Sequence, residues 1–211
     1  MGHVVLLGDS IFDNARYVPG GPSVVEHLRK ALPPNWKATL LAADGAVTKE
    51  VGRQLTRLPE DASHLVVSVG GNDALDHSSL LLHEPAASFA EVLTRVADIR
   101  ADFRKDYRDM LEVVLSHGRP VAVCTIYDSM PVLEQAEQVG LCLFNDVILR
   151  EAIRAGVPVI DLRLICDDVI DYARSSPIEP SVIGGGKIAR VIGRIVTTGF
   201  DVRAKGSRIH V

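Results

Sequence analysis

An excess of positive charge is missing from this chain. Of 211 residues, 23 are Lys or Arg and 27 are Asp or Glu, a formal net charge of -4. That leaves no electrostatic footprint for nucleic acid and no attraction to an anionic membrane surface, so neither is an expected partner. Cysteine is scarce: Cys124, Cys142 and Cys166 are odd in number and widely spaced. A disulfide framework and paired-cysteine metal ligation are therefore excluded, and reduced thiols packed as small hydrophobes are expected. No cluster of His, Cys and carboxylates has metal-site spacing, and no cofactor is expected. No apolar run approaches the roughly 18 residues of a membrane-crossing helix. The first strand-like run begins at His3, which leaves no room ahead of it for the parts of a signal peptide, and a cytoplasmic location is the expectation. Linkers, repeats and low-complexity stretches are absent, so residues 1–200 are expected to form one domain, with a polar tail over 201–211.

What the sequence does contain is alternation. Short runs rich in Val, Ile and Leu, at His3–Gly8, Trp36–Ala43, His64–Gly70, Pro120–Tyr127 and Val157–Leu162, are separated by segments of helical period near Pro22–Leu32, Val47–Leu58, Ala87–His117, Gln138–Ala155 and Gly185–Thr197. This pattern of crossover units predicts an α/β fold, a doubly wound three-layer arrangement on a five-stranded parallel sheet. The charges from Asp98 to Asp109 are expected to pair along a solvated helix face. The triple glycine Gly184-Gly185-Gly186 before Lys187 lacks the strand and the Ser or Thr of a phosphate loop, so it is expected to cap a helix.

In an open parallel sheet, ligands bind where the strands end at their carboxyl edge. Directly after the first three runs stand Gly8-Asp9-Ser10, Asp44-Gly45 and Gly70-Gly71-Asn72-Asp73, which converge on one crevice. Acyl transfer needs a serine hydroxyl at a strand-to-helix turn, together with N–H donors aimed at the oxygen that becomes negative. Ser10 supplies the first, and Asn72 and nearby backbone N–H groups can supply the second. Asp9, Asp73 and His77, at the same edge, are the candidate substrate-binding residues.

In order and strand placement, Gly8-Asp9-Ser10, Gly45 and Gly70-Gly71-Asn72-Asp73 resemble the first three sequence blocks of the SGNH (GDSL-like) hydrolase superfamily. The resemblance spans nearly the whole chain and implies an SGNH/flavodoxin-like fold. It also implies hydrolysis of a small ester by Ser10, with an oxyanion hole made of the Ser10 N–H, the Gly45 N–H and the Asn72 amide.

The pattern breaks in the last block. Where the family has Asp-x-x-His-Pro-Ser, this chain has Ser176-Pro177-Ile178-Glu179-Pro180-Ser181, so Glu179 stands in the histidine's place and Ser176 in the aspartate's. His3, His64 and His117 precede apolar runs and fall at the opposite edge of the sheet; His27 belongs to the first helix and His210 to the tail. That leaves His77 and His83, in an expected loop after Asn72, as alternative bases. A glutamate is a weaker base than histidine by about two pKa units, worth roughly 3 kcal/mol, which burial among Ile178, Pro180 and Val182 can offset. Asp167 and Asp171 are possible partners for it. The resulting expectation is a serine esterase or acylhydrolase with a carboxylate base. The alternatives are a ligand-binding module that has lost hydrolysis, and a transferase using Ser10.

Overall fold

The computed structural model describes residues 1–83, 85, 88–198 and 208–211. Each expected apolar run contributes a strand: β1 (Gly2–Gly8), β2 (Trp36–Leu40), β3 (His64–Ser68), β4 (Val121–Cys124) and β5 (Val159–Ile160). Val4 to Leu7, Leu65 to Val67 and Val121 to Cys124 are buried, which is why these runs read as continuously apolar rather than alternating. Among the described residues the sheet has six strands rather than five. After β6 (Tyr172–Ala173) and β7 (Ser176–Pro180), which form a separate antiparallel hairpin, the chain returns as β8 (Ile209–His210), giving the order β2-β1-β3-β4-β5-β8. Every neighbouring pair in the large sheet is parallel. Two residues carry no periodicity, so β8 was illegible; what makes it a strand is the edge of β5, whose Val159 and Asp161 N–H groups donate to Arg208 and His210 carbonyls at 2.8 and 2.9 Å. Part of the expected tail therefore belongs to the sheet, while its residues 201–207 lie outside the described residues.

The helices are α1 (Val24–Ala31), α2 (Val51–Leu55), α3 (Gly71–His83), α4 (Phe89–Ser116), α5 (Gln135–Ala155), α6 (Leu162–Ile165) and α7 (Val182–Thr198). Ser88 caps α4 by accepting from the Glu91 N–H; Ala87, where this helix was expected to begin, lies outside the described residues. The segment after Asn72 is a helix, not a loop, and His77 sits on it; the side chain of His83 lies outside the described residues.

Helix packing corrects two further expectations. The charges of α4 divide: Asp98, Asp102, Lys105 and Asp109 are exposed, as expected of a solvated face, whereas Arg104 and Arg108 reach Glu151 of α5 at 2.7 and 3.0 Å and Arg100 reaches Asp146 at 2.5 Å, which makes the arginine side a seam between helices. Within the expected charge run, only Lys105–Asp109 forms a pair four apart along the helix among the described residues. The triple glycine does not cap α7, because Ser181 Oγ does so, accepting from the Gly184 N–H. The glycines permit close approach: a Cβ at Gly184 would lie 2.2 Å from the Asp171 carbonyl oxygen, and one at Gly185 would lie 3.2 Å from the Val24 side chain of α1. Of the cysteines, Cys124 and Cys166 are buried as expected, but Cys142 is exposed on α5; all three are free.

In the strand order, β1 lies between β2 and β3, so the chain reverses its direction of travel across the sheet beside β1. The crevice at such a switch point is where open α/β sheets bind ligands. The carboxyl ends of β1 and β3, paired at Gly8 and Ser68, open into it.

Candidate active site

The turn after β1 is forced by close strand approach. Gly8 has φ +120°, and a Cβ there would fall 1.7 Å from the Ser68 carbonyl oxygen, so only glycine fits. The buried Gln54 amide of α2 grips this residue from the other side, donating to the Gly8 carbonyl at 2.7 Å and accepting its N–H at 2.8 Å. Asp9 N–H donates to Ser68 O at 3.0 Å, and Phe12 and Asp13 N–H groups donate back to Asp9 O. Ser10 is thus fixed at the first turn beyond the strand, with its own N–H unpartnered among the described residues.

Asp9 is largely buried and lines the cavity beside Ser10. Its carboxylate accepts from the Ile11 N–H at 3.1 Å. Burial holds its pKa well above the usual carboxylate range; the Ile11 bond opposes this, and the charges of Glu179 and Asp73 add to it. Asp73 is likewise engaged internally, accepting from both the N–H and the hydroxyl of Thr48 at 3.0 Å. Desolvation raises its pKa and the Thr48 bonds partly offset the rise. These contacts fasten α3 to the loop that carries Gly45.

That loop is also tied to the first one. Asp44 N–H donates to Asp13 Oδ2 at 3.0 Å, while the Asp44 carboxylate pairs with Arg16 at 2.7 Å and accepts from the Tyr17 hydroxyl at 3.1 Å. Gly45, with φ +80°, is exposed, and its N–H has no partner among the described residues. Asn72 Nδ2 donates one hydrogen to the Ala46 carbonyl at 2.9 Å, which orients the amide and leaves its second hydrogen available. The loops carrying the Ser10 N–H, the Gly45 N–H and Asn72 Nδ2 are thus joined by hydrogen bonds; Ser10 and Asn72 line the crevice, and Gly45 does not.

Glu179 enters from β7. The carbonyls on either side of it are held: Tyr127 donates its hydroxyl to Ile178 O at 2.6 Å, and Asn14 Nδ2 donates to Pro180 O at 3.0 Å while Asn14 Oδ1 accepts from the Val24 N–H. The side chain is 4% exposed. Burial pushes its pKa up to about 7; the hydrogen bond with Ser10 opposes the rise, Asp44 adds to it, and Arg16 opposes it. Its Oε2 is buried without a hydrogen-bond partner among the described residues. Ser10, Asn72 and Glu179 together line a cavity of about 110 Å³ that is open to solvent, whose remaining wall is mainly apolar.

The other expected residues lie elsewhere. His77 does not line the cavity; it packs against Phe144, ring centroids 6.5 Å apart. His3 and His64 stand at the opposite edge of the sheet, where His3 bridges Asp61 and Thr39 at 2.7 Å each. Asp171 is taken by Lys187 at 2.7 Å and is not among the groups acting on Glu179. No group of three potential metal ligands occurs among the described residues, and no helix there is long and apolar enough to cross a membrane. The positioning residues Gln54, Thr48, Asn14 and Tyr127 were not legible: a polar residue in an apolar segment was the sole signal, and many such residues are simply exposed.

No curated protein matches the sequence. The fold is similar to that of the lipase Lip_vut3 from a goat rumen metagenome (TM-score 0.70, 18% identity, 90% of this chain and 94% of that one). It is also similar to phospholipase A1 from Streptomyces albidoflavus NA297 (TM-score 0.63, 19% identity, 92% and 99%) and to a lipase/acylhydrolase from Enterococcus faecalis (TM-score 0.64, 18% identity, 92% and 94%). The sequence profile of the GDSL-like lipase/acylhydrolase family matches residues 6–180, a span that includes Ser10, Gly45, Asn72 and Glu179, and the chain belongs to that family.

Proposed function

We propose that the protein is a serine esterase or acylhydrolase in which Glu179 takes the part of the base. The observation that carries this is the buried Glu179 carboxyl beside the Ser10 hydroxyl, with its pKa pushed up to about 7. Above that pH the carboxylate accepts the Ser10 proton as Oγ attacks the ester carbonyl carbon. The negative charge moves to the carbonyl oxygen, which the Ser10 N–H, the Gly45 N–H and Asn72 Nδ2 receive. Protonated Glu179 then gives its proton to the leaving alkoxide, producing acyl-Ser10 and the free alcohol. Water repeats the cycle and releases the acid.

Burial is what makes the substitution workable. An ordinary glutamate, with a pKa near 4.3, falls about two units below histidine, a deficit of roughly 3 kcal/mol in proton affinity that the desolvated site removes. Asp73 is a positioning residue in this reading, because Thr48 occupies both its oxygens, whereas Asp9, held through Oδ1 by the Ile11 N–H, stands in the cavity wall where it can meet the substrate.

The test is the pH–rate profile for p-nitrophenyl acetate, with Ser10→Ala and Glu179→Gln alongside. Wild-type turnover that rises with pH through about 7 and is lost in both variants is the expected result. If Ser10→Ala alone abolishes turnover, the base is another group. If all three proteins match the uncatalysed rate, the crevice is a polar ligand pocket without hydrolysis.

A further inference from the structure

We infer that Asp9 keeps a proton throughout the reaction and donates a hydrogen bond from Oδ2 to the bound ester, adding a donor to those of Ser10 and Asn72; this rests on the esterase reading above. Asp9 is 2% exposed and lines the cavity together with Ser10, Gly71 and Asn72. Its two oxygens have different surroundings. Oδ1 accepts from the Ile11 N–H at 3.1 Å. Oδ2 lies toward Gly71 at the start of α3, 3.9 Å from where a Cβ would stand on that glycine, and it takes no hydrogen bond among the described residues. It is not sealed in as Glu179 Oε2 is, so Oδ2 reaches the cavity.

The groups around Asp9 decide its charge. Glu179 faces it from β7, Asp73 from α3, Cys124 from β4 and Tyr127 from the segment after β4. All four are acids. Burial keeps the thiol and the phenol protonated, and the Tyr127 hydroxyl is already given to Ile178 O at 2.6 Å. No Lys, Arg or His lines the cavity, and Arg16, the cation that acts on Glu179, is paired with Asp44 at 2.7 Å. A carboxylate in a mainly apolar wall, with two further carboxyls close by and no cation, lacks what would stabilise its charge. Burial accordingly raises the Asp9 pKa well above the usual carboxylate range; the Ile11 N–H opposes the rise, Glu179 and Asp73 add to it, and its own N–H, which also donates to Ser68 O, opposes it weakly. The charge of Glu179 acts on Asp9, whereas Asp9 is not among the groups acting on Glu179, so Glu179 loses its proton first.

That order of ionisation suits the chemistry. With Glu179 ionised as the base, a second anion at Asp9 would repel the ester oxygen that becomes negative and so oppose the attack of Ser10. A carboxylic acid has the opposite effect. Because Oδ1 is held by an N–H donor, the proton belongs on Oδ2, where it can be given to the substrate as a hydrogen bond. Asp9 does not release it. The proton of Ser10 still passes to Glu179 and on to the leaving alkoxide, and the Asp9 hydrogen bond strengthens as charge develops on the oxygen it meets.

The experiment has two readouts. In protein whose aspartate side-chain carboxyls carry carbon-13, the infrared spectrum at pH 8.5 should contain a protonated-carboxyl band that Asp9→Asn removes and Asp73→Asn retains. Absence of that band overturns the inference whether or not the protein hydrolyses esters, and the Asp73→Asn spectrum assigns the band even if Asp9→Asn fails to fold. The second readout is the pH–rate profile for p-nitrophenyl acetate, with circular dichroism to check folding. Asp9→Asn keeps a neutral donor at this position and should stay within about threefold of the wild-type kcat, its acidic limb still near pH 7. Asp9→Ala should lose about 10²- to 10³-fold in kcat, the usual cost of one donor to a developing oxyanion. An acidic limb that moves to lower pH in Asp9→Asn would mean that Asp9 is an anion in the wild type; full activity in Asp9→Ala, or equal losses in the two variants, would mean that it gives the substrate no hydrogen bond. Each of these overturns the inference while Ser10-dependent turnover keeps the esterase reading. If turnover does not depend on Ser10, the esterase reading falls and the infrared band decides alone: a shift on addition of 2-butanone sustains a donor in the cavity wall, and an unshifted band overturns it.

Discussion

Glu151 and Glu179 are equally buried, each 4% exposed, and their surroundings are opposite. Glu151 lies in the α4–α5 seam with Arg104, Arg108 and Arg154 at 2.7 to 3.0 Å. Desolvation alone would raise its pKa, but hydrogen bonds from Arg108 and Arg104 outweigh it and hold the pKa below the usual value. Glu179 has no cation in contact among the described residues, and desolvation dominates. Depth of burial therefore does not decide what a carboxylate does. The charge brought against it does: three arginines make Glu151 a fixed anion that joins two helices, while their absence leaves Glu179 able to take up and release a proton near neutral pH.

The largest expected effect separates the two by activity. Glu179→Gln should lower kcat for an activated ester about 10²- to 10⁴-fold, the usual contribution of a positioned base. Glu151→Gln, assayed well below its unfolding temperature, should stay within threefold of wild type; equal losses in steady-state assays would break the contrast. Next comes Asn72→Ala, expected to lower kcat about 10²- to 10³-fold by removing one oxyanion donor. Because that variant keeps the base, its acidic limb should stay near pH 7, and a limb that moves would mean Asn72 acts through Glu179.

The third prediction concerns stability, with the sign fixed by the direction of the shift. The raised pKa means that the folded protein holds the Glu179 proton to higher pH than the unfolded chain does. Folding suffers no penalty from this group in acid, loses stability as pH rises from the ordinary glutamate range through about 7, and carries the full penalty above it. Glu179→Gln should therefore be close to wild type at pH 5 and more stable at pH 8.5, by roughly 2 to 3 kcal/mol after allowing for solvent screening. Paired denaturant titrations at those two pH values check this, and a stabilisation independent of pH would refute the assigned cause. The smallest effect is Glu151→Gln, which should instead destabilise at both pH values, by about 2 kcal/mol, or roughly 4 to 8 °C in Tm. A Tm unchanged by calorimetry would show that the arginines are satisfied by solvent.

Much of the site was legible because its parts follow strands directly. Gly8-Asp9-Ser10, Gly45 and Asn72 could be placed at one edge once the apolar runs were read as parallel strands, and the placement of Glu179 followed from its register with the last family block. The internal hydrogen bonds of Asp9 and Asp73 were not legible, because an acidic residue at a strand end looks the same whether or not it accepts from the Ile11 N–H or Thr48. The helix over Gly71–His83 was hidden by a Gly-Gly-Asn-Asp start that also suits a turn. The six-strand sheet was hidden because Ile209–His210 becomes a strand only where β5 offers an edge.

The sequence by itself determined the alternation of strand and helix, the single switch-point crevice and the identity of the groups that end in it, because apolar periodicity and strand-end position are local properties of the chain. Only the tertiary structure decided which buried carboxylate is neutralised and which is left free to titrate, which glycines make room for close approach, and which polar side chains hold the nucleophile turn. Those outcomes depend on what residues distant in sequence bring to the same few ångströms, where desolvation, charge and close contact act together.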